Sequence, residues 1–309
     1  MKRLWNTLCS HFKADFRWDV YGFTALFLIV IITFNYTFSL EKRIIDSYRG
    51  NSIRMLWYFL LYAFAYYGGA LIWMGFRKEW WRLRQPQFWG SSLFILAVLG
   101  LDGGFYAHNE WSKTLFDGQI YNYAFHCLTN LSSALTTFIP LILFYYLLDS
   151  QRHYFYGIQP KWYNLKPYSV LMVLMMPLIA WAPFQPDFLR FYPSYEDSNA
   201  DEFFKVSPWI TTLFYELCYG FDFVSTELVF RGFMVIGMAH LLGKGAVIPM
   251  VVCYASLHFG KPLGETIGSV FGGYILGVIA LESRSIWGGI IVHVGIAWMM
   301  DLATWLQKI

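Results

Sequence analysis

The sequence predicts an all-α, polytopic membrane protein, and three observations carry that prediction. Of its 309 residues, 57% are hydrophobic and only 14% are charged, where a soluble domain averages about 25% charged. Apolar runs long enough for a helix to cross a bilayer, roughly 20 residues, recur along the whole chain. Trp and Tyr gather near the ends of those runs, where amphipathic rings favour the membrane interface.

The long runs fall at about 20–40, 56–76, 88–105, 121–148, 168–184, 208–232 and 286–306. Two shorter ones, about 243–258 and 264–281, bring the expected count to eight or nine transmembrane helices. The N-terminal MKRLWNTLCSHFKADFRWDV is basic and aromatic without the layout of a cleavable signal, so the first run reads as a retained span. Cys9, Cys127, Cys218 and Cys253 show no CxxC spacing, which speaks against a zinc or disulfide framework.

Lys and Arg in short loops set orientation. Lys2, Arg3, Lys13 and Arg17 in the N-terminal tail fall on the same side as Arg77, Lys78, Arg82 and Arg84 and as Arg152, Lys161 and Lys166. The loops between carry few bases, and 185–207 carries the acids Asp187, Glu196, Asp197, Asp201 and Glu202. The expectation is a cytoplasmic N-terminus in a bacterial inner (cell) membrane, although Lys42, Arg43, Arg49 and Arg54 run against the alternation. A net charge of +3 gives no reason to expect nucleic acid as a partner. The expected organisation is an N-terminal set of helices over 1–184, an acidic extramembrane loop at 185–207 and a catalytic-type helical core over 208–309.

Few ionisable residues interrupt the first half. Asp102 in LGLDGGFYA stands near the end of its run and reads as solvated at a helix end. His126 and Asn130, four apart on one face, read as interhelical glue. The stretch STELVFRG at 225–232 is different, because it sets Thr226, Glu227 and Arg231 in a segment apolar enough for lipid. An ionisable residue there defaults to a functional-site hypothesis.

Glu227 and Arg231 stack at i, i+4 in the better order for an ion pair, and Asp222 and Thr226 form a second such pair about 100° round the helix. Taken alone, the first pair reads equally as a structural lock. Two further segments, YASLHFG with His258 and IIVHVGIAW with His293, then each add an imidazole. Between them GETIGSVFGGYILG offers the pairs Gly268/Gly272 and Gly273/Gly277, whose spacing lets helix backbones approach closely. A carboxylate and an imidazole brought to one water make a general acid/base couple near neutral pH.

The order Glu-x-x-x-Arg, aromatic-x-x-x-His, Gly-rich helix, SIWGGIIVH resembles the CPBP family of CAAX prenyl endoproteases, bacteriocin-processing and immunity proteins and abortive-infection proteins. Its motifs are E-E-x-x-x-R, F-x-x-x-H and H-x-x-x-N/D, and the likeness covers roughly residues 208–305. It implies an intramembrane endopeptidase in which Glu227 and His258 activate water, His293 steadies the oxyanion and Arg231 holds the acid-bearing helix. The substrate it implies is a membrane-embedded or lipidated polypeptide. No cofactor is expected, although Glu227, His258 and His293 would also make a three-ligand zinc set with an open fourth position.

Three departures qualify the likeness. Thr226 stands where the family has the first, water-activating glutamate, Tyr254 where it has Phe, and Ala297 where it has Asn or Asp. Three readings stay open: Glu227 turns inward as the base; Asp222 supplies the carboxylate and Asp301 the lost helper; or the chain is a non-catalytic immunity or partner-binding protein. A transporter is disfavoured by the lack of a repeat pair or matched broken helices.

Overall fold

A computed structural model describes residues 2–116, 118–149, 154–158, 166–195 and 199–308. Arg152, Lys161, Glu196 and Asp197, used above for orientation, lie outside the described residues. Among those described there is no strand, and helices follow one another throughout. They are α1 (Lys2–Asp15), α2 (Trp18–Phe38), α3 (Ile53–Arg77), α4 (Pro86–Gly104), α5 (Ala107–Leu115), α6 (Tyr121–Ser133), α7 (Ile139–Phe144) and α8 (Lys166–Trp181), then α9 (Ala200–Phe204), α10 (Pro208–Glu227), α11 (Ala239–Leu242), α12 (Val247–Leu257), α13 (Leu263–Ser283) and α14 (Trp287–Lys308).

By length and composition, seven helical stretches can cross a membrane, with a shorter apolar one at Tyr168–Phe184. The protein is an integral, polytopic helical membrane protein. Its spans are not equivalent: the window in Pro208–Leu257 is 83% buried inside the bundle, against 28% in Trp18–Phe38. The first therefore forms the protein core, and the second leaves most of its apolar surface to lipid. Leu228, Phe230, Phe233, Met234, Val247, Met250 and Val251 lie at the centre of the main apolar cluster.

The core stretch is folded back on itself. After Glu227 the α-helix widens into a π-helical run, Leu228–Gly237, a form that often accompanies functional sites. A turn at Gly243, with φ of 58°, reverses the chain into α12, which packs on the π-helical run, on α3 and on α13. With 11 residues, α12 is about 17 Å long at 1.5 Å per residue, short of a hydrocarbon core of about 30 Å. His258 thus returns to the depth of Glu227. Around this hairpin α3 packs on α4, α10 on α6 and α14, and α8 on α14.

The two Gly-x-x-x-Gly pairs part company. Gly273 and Gly277 meet Tyr254 and Met250 of α12, as their spacing predicts, whereas Gly268 and Gly272 face open space. Helix phase places only one of the two rows at the interface.

Candidate functional site

A cavity of about 240 Å³ with several polar groups in its wall opens inside the bundle. That is far above the ~10–15 Å³ one water needs by the same measure. Its wall includes Asp102, Asp222, Thr226, His258, Lys261 and His293, with apolar faces from Leu99, Phe223, Val229, Phe230 and Leu257.

Each histidine is held in a defined way. His258 Nδ1 lies 2.9 Å from the backbone oxygen of Tyr254. A carbonyl only accepts, so Nδ1 carries the hydrogen and Nε2 the lone pair. His293 Nδ1 lies 3.1 Å from Glu227 Oε1, and its Nε2 lies 3.2 Å from the Tyr254 hydroxyl. The carboxylate fixes Nδ1 as the donor and the phenol then donates to Nε2, an outer-shell arrangement that sets both tautomer and ring orientation. Tyr254 is the hub, because its ring also lies under Arg231 at 4.2 Å.

Glu227 is fully buried and does not belong to the cavity wall. Its Oε1 pairs with Arg231 at 3.0 Å. Its Oε2 accepts no hydrogen bond among the described residues and presses on Gly289, where a Cβ would collide with it. The predicted Glu227–Arg231 pair is present, while the inward turn of Glu227 toward water is not: Arg231 and His293 hold the acid behind the wall.

Asp222 does face the cavity, one turn before Thr226 on the same helix, with Ser133 of α6 as a hydrogen-bond partner. Asp301 does not. It accepts from the backbone N–H of Ser194 at 3.0 Å and from the Ser194 hydroxyl at 3.1 Å, tying α14 to the segment before α9. Ala297, buried beside Cys127, Tyr215 and Cys218, is packing rather than cavity wall. The idea that Asp301 replaces the missing helper is therefore corrected, because the last helix turns it away from the histidines.

Two contributors escaped the sequence reading. Asp102, expected to be solvated at a helix end, instead lines the cavity and accepts from the Thr136 hydroxyl. The end of α2 clamps the loop that follows His258. Asn35 Nδ2 donates to Phe259 O at 3.1 Å, and Tyr36 Oη lies 2.6 Å from Lys261 O and 2.7 Å from Thr266 Oγ1. Thr266 Oγ1 in turn donates to His258 O at 2.6 Å. Ordinary Asn and Tyr residues in an apolar run give no sign of such a task in the sequence.

Among the described residues, no group of three or more His, Cys, Asp or Glu side chains is arranged to hold a metal ion. The set Glu227, His258 and His293 does not fit one in this arrangement. Arg231 and His293 share the acid oxygen, and Glu227 lies outside the cavity wall that holds the two imidazoles.

Residues 207–299 match the family model described as Type II CAAX prenyl endopeptidase Rce1-like. The match covers about a third of the chain and coincides with the stretch whose motifs resemble the CPBP family. No curated protein and no solved structure matches the chain.

Proposed function

We propose, with the Rce1-like character of residues 207–299 as the premise, that the protein is an intramembrane endopeptidase acting on membrane-embedded or lipidated polypeptides. The observation that carries this reading is the cavity itself, a chamber in an apolar bundle that gathers Asp222, His258 and His293. Asp222 and His258 Nε2 hold a water between them, and His258 takes its proton as the oxygen attacks the peptide carbonyl. His293, backed by Glu227, holds the Tyr254 hydroxyl within reach, and that hydroxyl swings from His293 Nε2 to donate to the developing oxyanion. Arg231 holds Glu227 in place. No cofactor enters these steps. Placement in a bacterial inner membrane with a cytoplasmic N-terminus rests on loop charge, and the 185–207 segment is read as lying outside the membrane.

A second reading has its own support: Thr226 stands in the cavity wall where the family carries its water-activating acid. On that reading the protein is a non-catalytic immunity or partner-binding relative. New protein N-termini, read by mass spectrometry in membranes carrying wild type, Asp222→Asn, His258→Ala or Thr226→Glu, separate the two. The peptidase reading expects termini with wild type that vanish in Asp222→Asn and His258→Ala at equal protein level. Cleavage gained only in Thr226→Glu would support the scaffold, and no termini in wild type would remove the peptidase reading.

A further inference from the structure

Two sets of contacts mark the two faces of the bundle. On one face, Asp15 of α1 pairs with Arg77 at the end of α3 at 2.8 Å. His11 of α1 meets Glu282 at the end of α13 at 3.0 Å. Arg82, just beyond α3, donates to Leu241 O, which lies shortly before α12. Arg284, just beyond α13, donates to Ile236 O at 3.4 Å. The α1 face therefore gathers the end of α3, the start of α12 and the end of α13.

Helices α12 and α13 pack together and rise from that face to unequal heights. With 21 residues, α13 is about 31 Å long, against about 17 Å for α12. The segment 258–262 joins their upper ends and climbs the remaining ~14 Å, within the reach of an extended chain of that length. His258 thus stays at depth, while Lys261 and Glu265 stand near the face opposite α1. Both belong to the chamber wall and both are half-buried, and Gly260 beside Lys261 is exposed. The turn after α2 meets the same rim, with Glu41 against Gly260 and the Tyr36 hydroxyl on Lys261 O.

Tyr192 lies across this rim. Its hydroxyl donates to Glu265 Oε2 at 3.0 Å. Lys261 Nζ stands 5.4 Å from the centre of its ring, within cation–π range. The ring also stacks on Phe188 at 4.5 Å, and Ser194 is bound to Asp301 of α14. Tyr192 is therefore carried by a segment fastened on both sides of it. What joins it to the rim is one hydrogen bond and one cation–π contact, and these part without unwinding any helix.

We propose that substrate enters the chamber at this rim, on the face opposite α1, with Tyr192 as the bar across the entrance. This rests on the peptidase reading and deepens it. The substrate is a polypeptide whose scissile bond reaches the membrane face opposite α1, passes between Lys261 and Glu265, and meets His258 below. With α1 on the cytoplasmic side, as loop charge indicates, the substrate class is exported or outward-facing membrane polypeptides.

The test uses the full-length protein in cells and reads sidedness first. Lys13→Cys marks the α1 face and Lys261→Cys the rim. Each is treated with a membrane-impermeant sulfonated maleimide in intact cells and after permeabilisation, and wild type gives the background from its four cysteines. The two positions are expected to be labelled from opposite sides. Labelling of both from the same side, or no labelling of Lys261→Cys after permeabilisation, overturns the placement of the entrance. Labelled Lys261→Cys is then expected to cleave about tenfold or more slowly than the same variant unlabelled, because a blocked entrance stops substrate from committing. Cleavage that survives full labelling overturns the route, since substrate then arrives laterally from lipid. Adding Tyr192→Phe, which deletes the bond to Glu265, is expected to speed labelling of Lys261→Cys roughly fivefold, and an unchanged rate removes Tyr192 as the bar. Should Lys261→Cys fail to accumulate, Glu265→Cys replaces it in the sidedness and blocking arms with the same outcomes. A wild type without cleavage removes the peptidase reading, while the labelling still decides where the chamber opens.

Discussion

Asp222 and Glu227 share helix α10, little more than a turn apart, and their surroundings could hardly differ more. Glu227 is sealed behind the cavity wall by Arg231, His293 and Gly289. Asp222 looks into the chamber beside the histidines. The residue that best fits the family motif is the one removed from solvent, and the one outside the motif has access. A carboxylate locked into an ion pair orients its neighbours, whereas a carboxylate facing an open chamber can meet water. Sequence position within a motif and access to the reacting atoms are separate properties.

The sharpest way to break this contrast is to remove each acid in turn and read stability beside activity. Glu227→Gln leaves the buried Arg231 charge without its partner and is expected to cost about 3–5 kcal/mol, measured by thermal unfolding in detergent. Asp222→Asn is expected to unfold within about 1 kcal/mol of wild type yet lose about 100-fold or more of cleavage. If the two variants destabilise the protein equally, the division of labour is wrong.

A third acid, Glu41 in the turn between α2 and α3, sharpens the comparison. Burial pushes its carboxyl up to about 7, only partly offset by the Tyr58 hydroxyl that donates to it at 3.1 Å. Raised above its unfolded value, it binds a proton more tightly in the folded state. Its stabilising contribution is thus complete below about pH 4.5 and is lost as pH rises through about 7. Melting temperatures taken from pH 5 to 8 should fall by the equivalent of roughly 2 kcal/mol, allowing for its partial exposure, and Glu41→Gln should flatten that slope. An unchanged slope would mean that other groups carry the pH dependence.

The smallest expected effect lies at Tyr36. Tyr36→Phe removes the hydroxyl between Lys261 O and Thr266 without touching the cavity. A net hydrogen bond of about 1 kcal/mol translates to a roughly fivefold lower kcat with KM unchanged, as His258 loses its fixed placement. A change in KM alone would argue that α2 shapes substrate entry instead.

How much of this was legible follows the range of the interactions. The membrane class shows in composition. The Glu227–Arg231 pair and the Asp222–Thr226 pair show in helix periodicity, because partners four apart need no knowledge of the fold. His258 and His293 stood out as imidazoles in apolar runs. What failed were particular judgements that depended on helix phase or on a distant partner. Asp102 read as a solvated end because its partners Thr136 and Thr137 lie on another helix. Asp301 read as a helper because spacing along α14 cannot say that Ser194 would claim it. The π-helical run Leu228–Gly237, which changes the facing of every residue after Glu227, leaves no mark in the hydropathy pattern.

The short α12 has a consequence for how the protein is made. Because that helix ends well inside the hydrocarbon depth, the loop after it exposes carbonyls that lipid cannot satisfy, and α2 supplies donors for those of Phe259 and Lys261. The Rce1-like segment is therefore not a graftable cassette. During synthesis α2 enters the membrane long before the loop it must cap, and it waits there as a template. A fragment beginning near residue 207 would arrive with its histidine loop uncapped and should be degraded rather than folded.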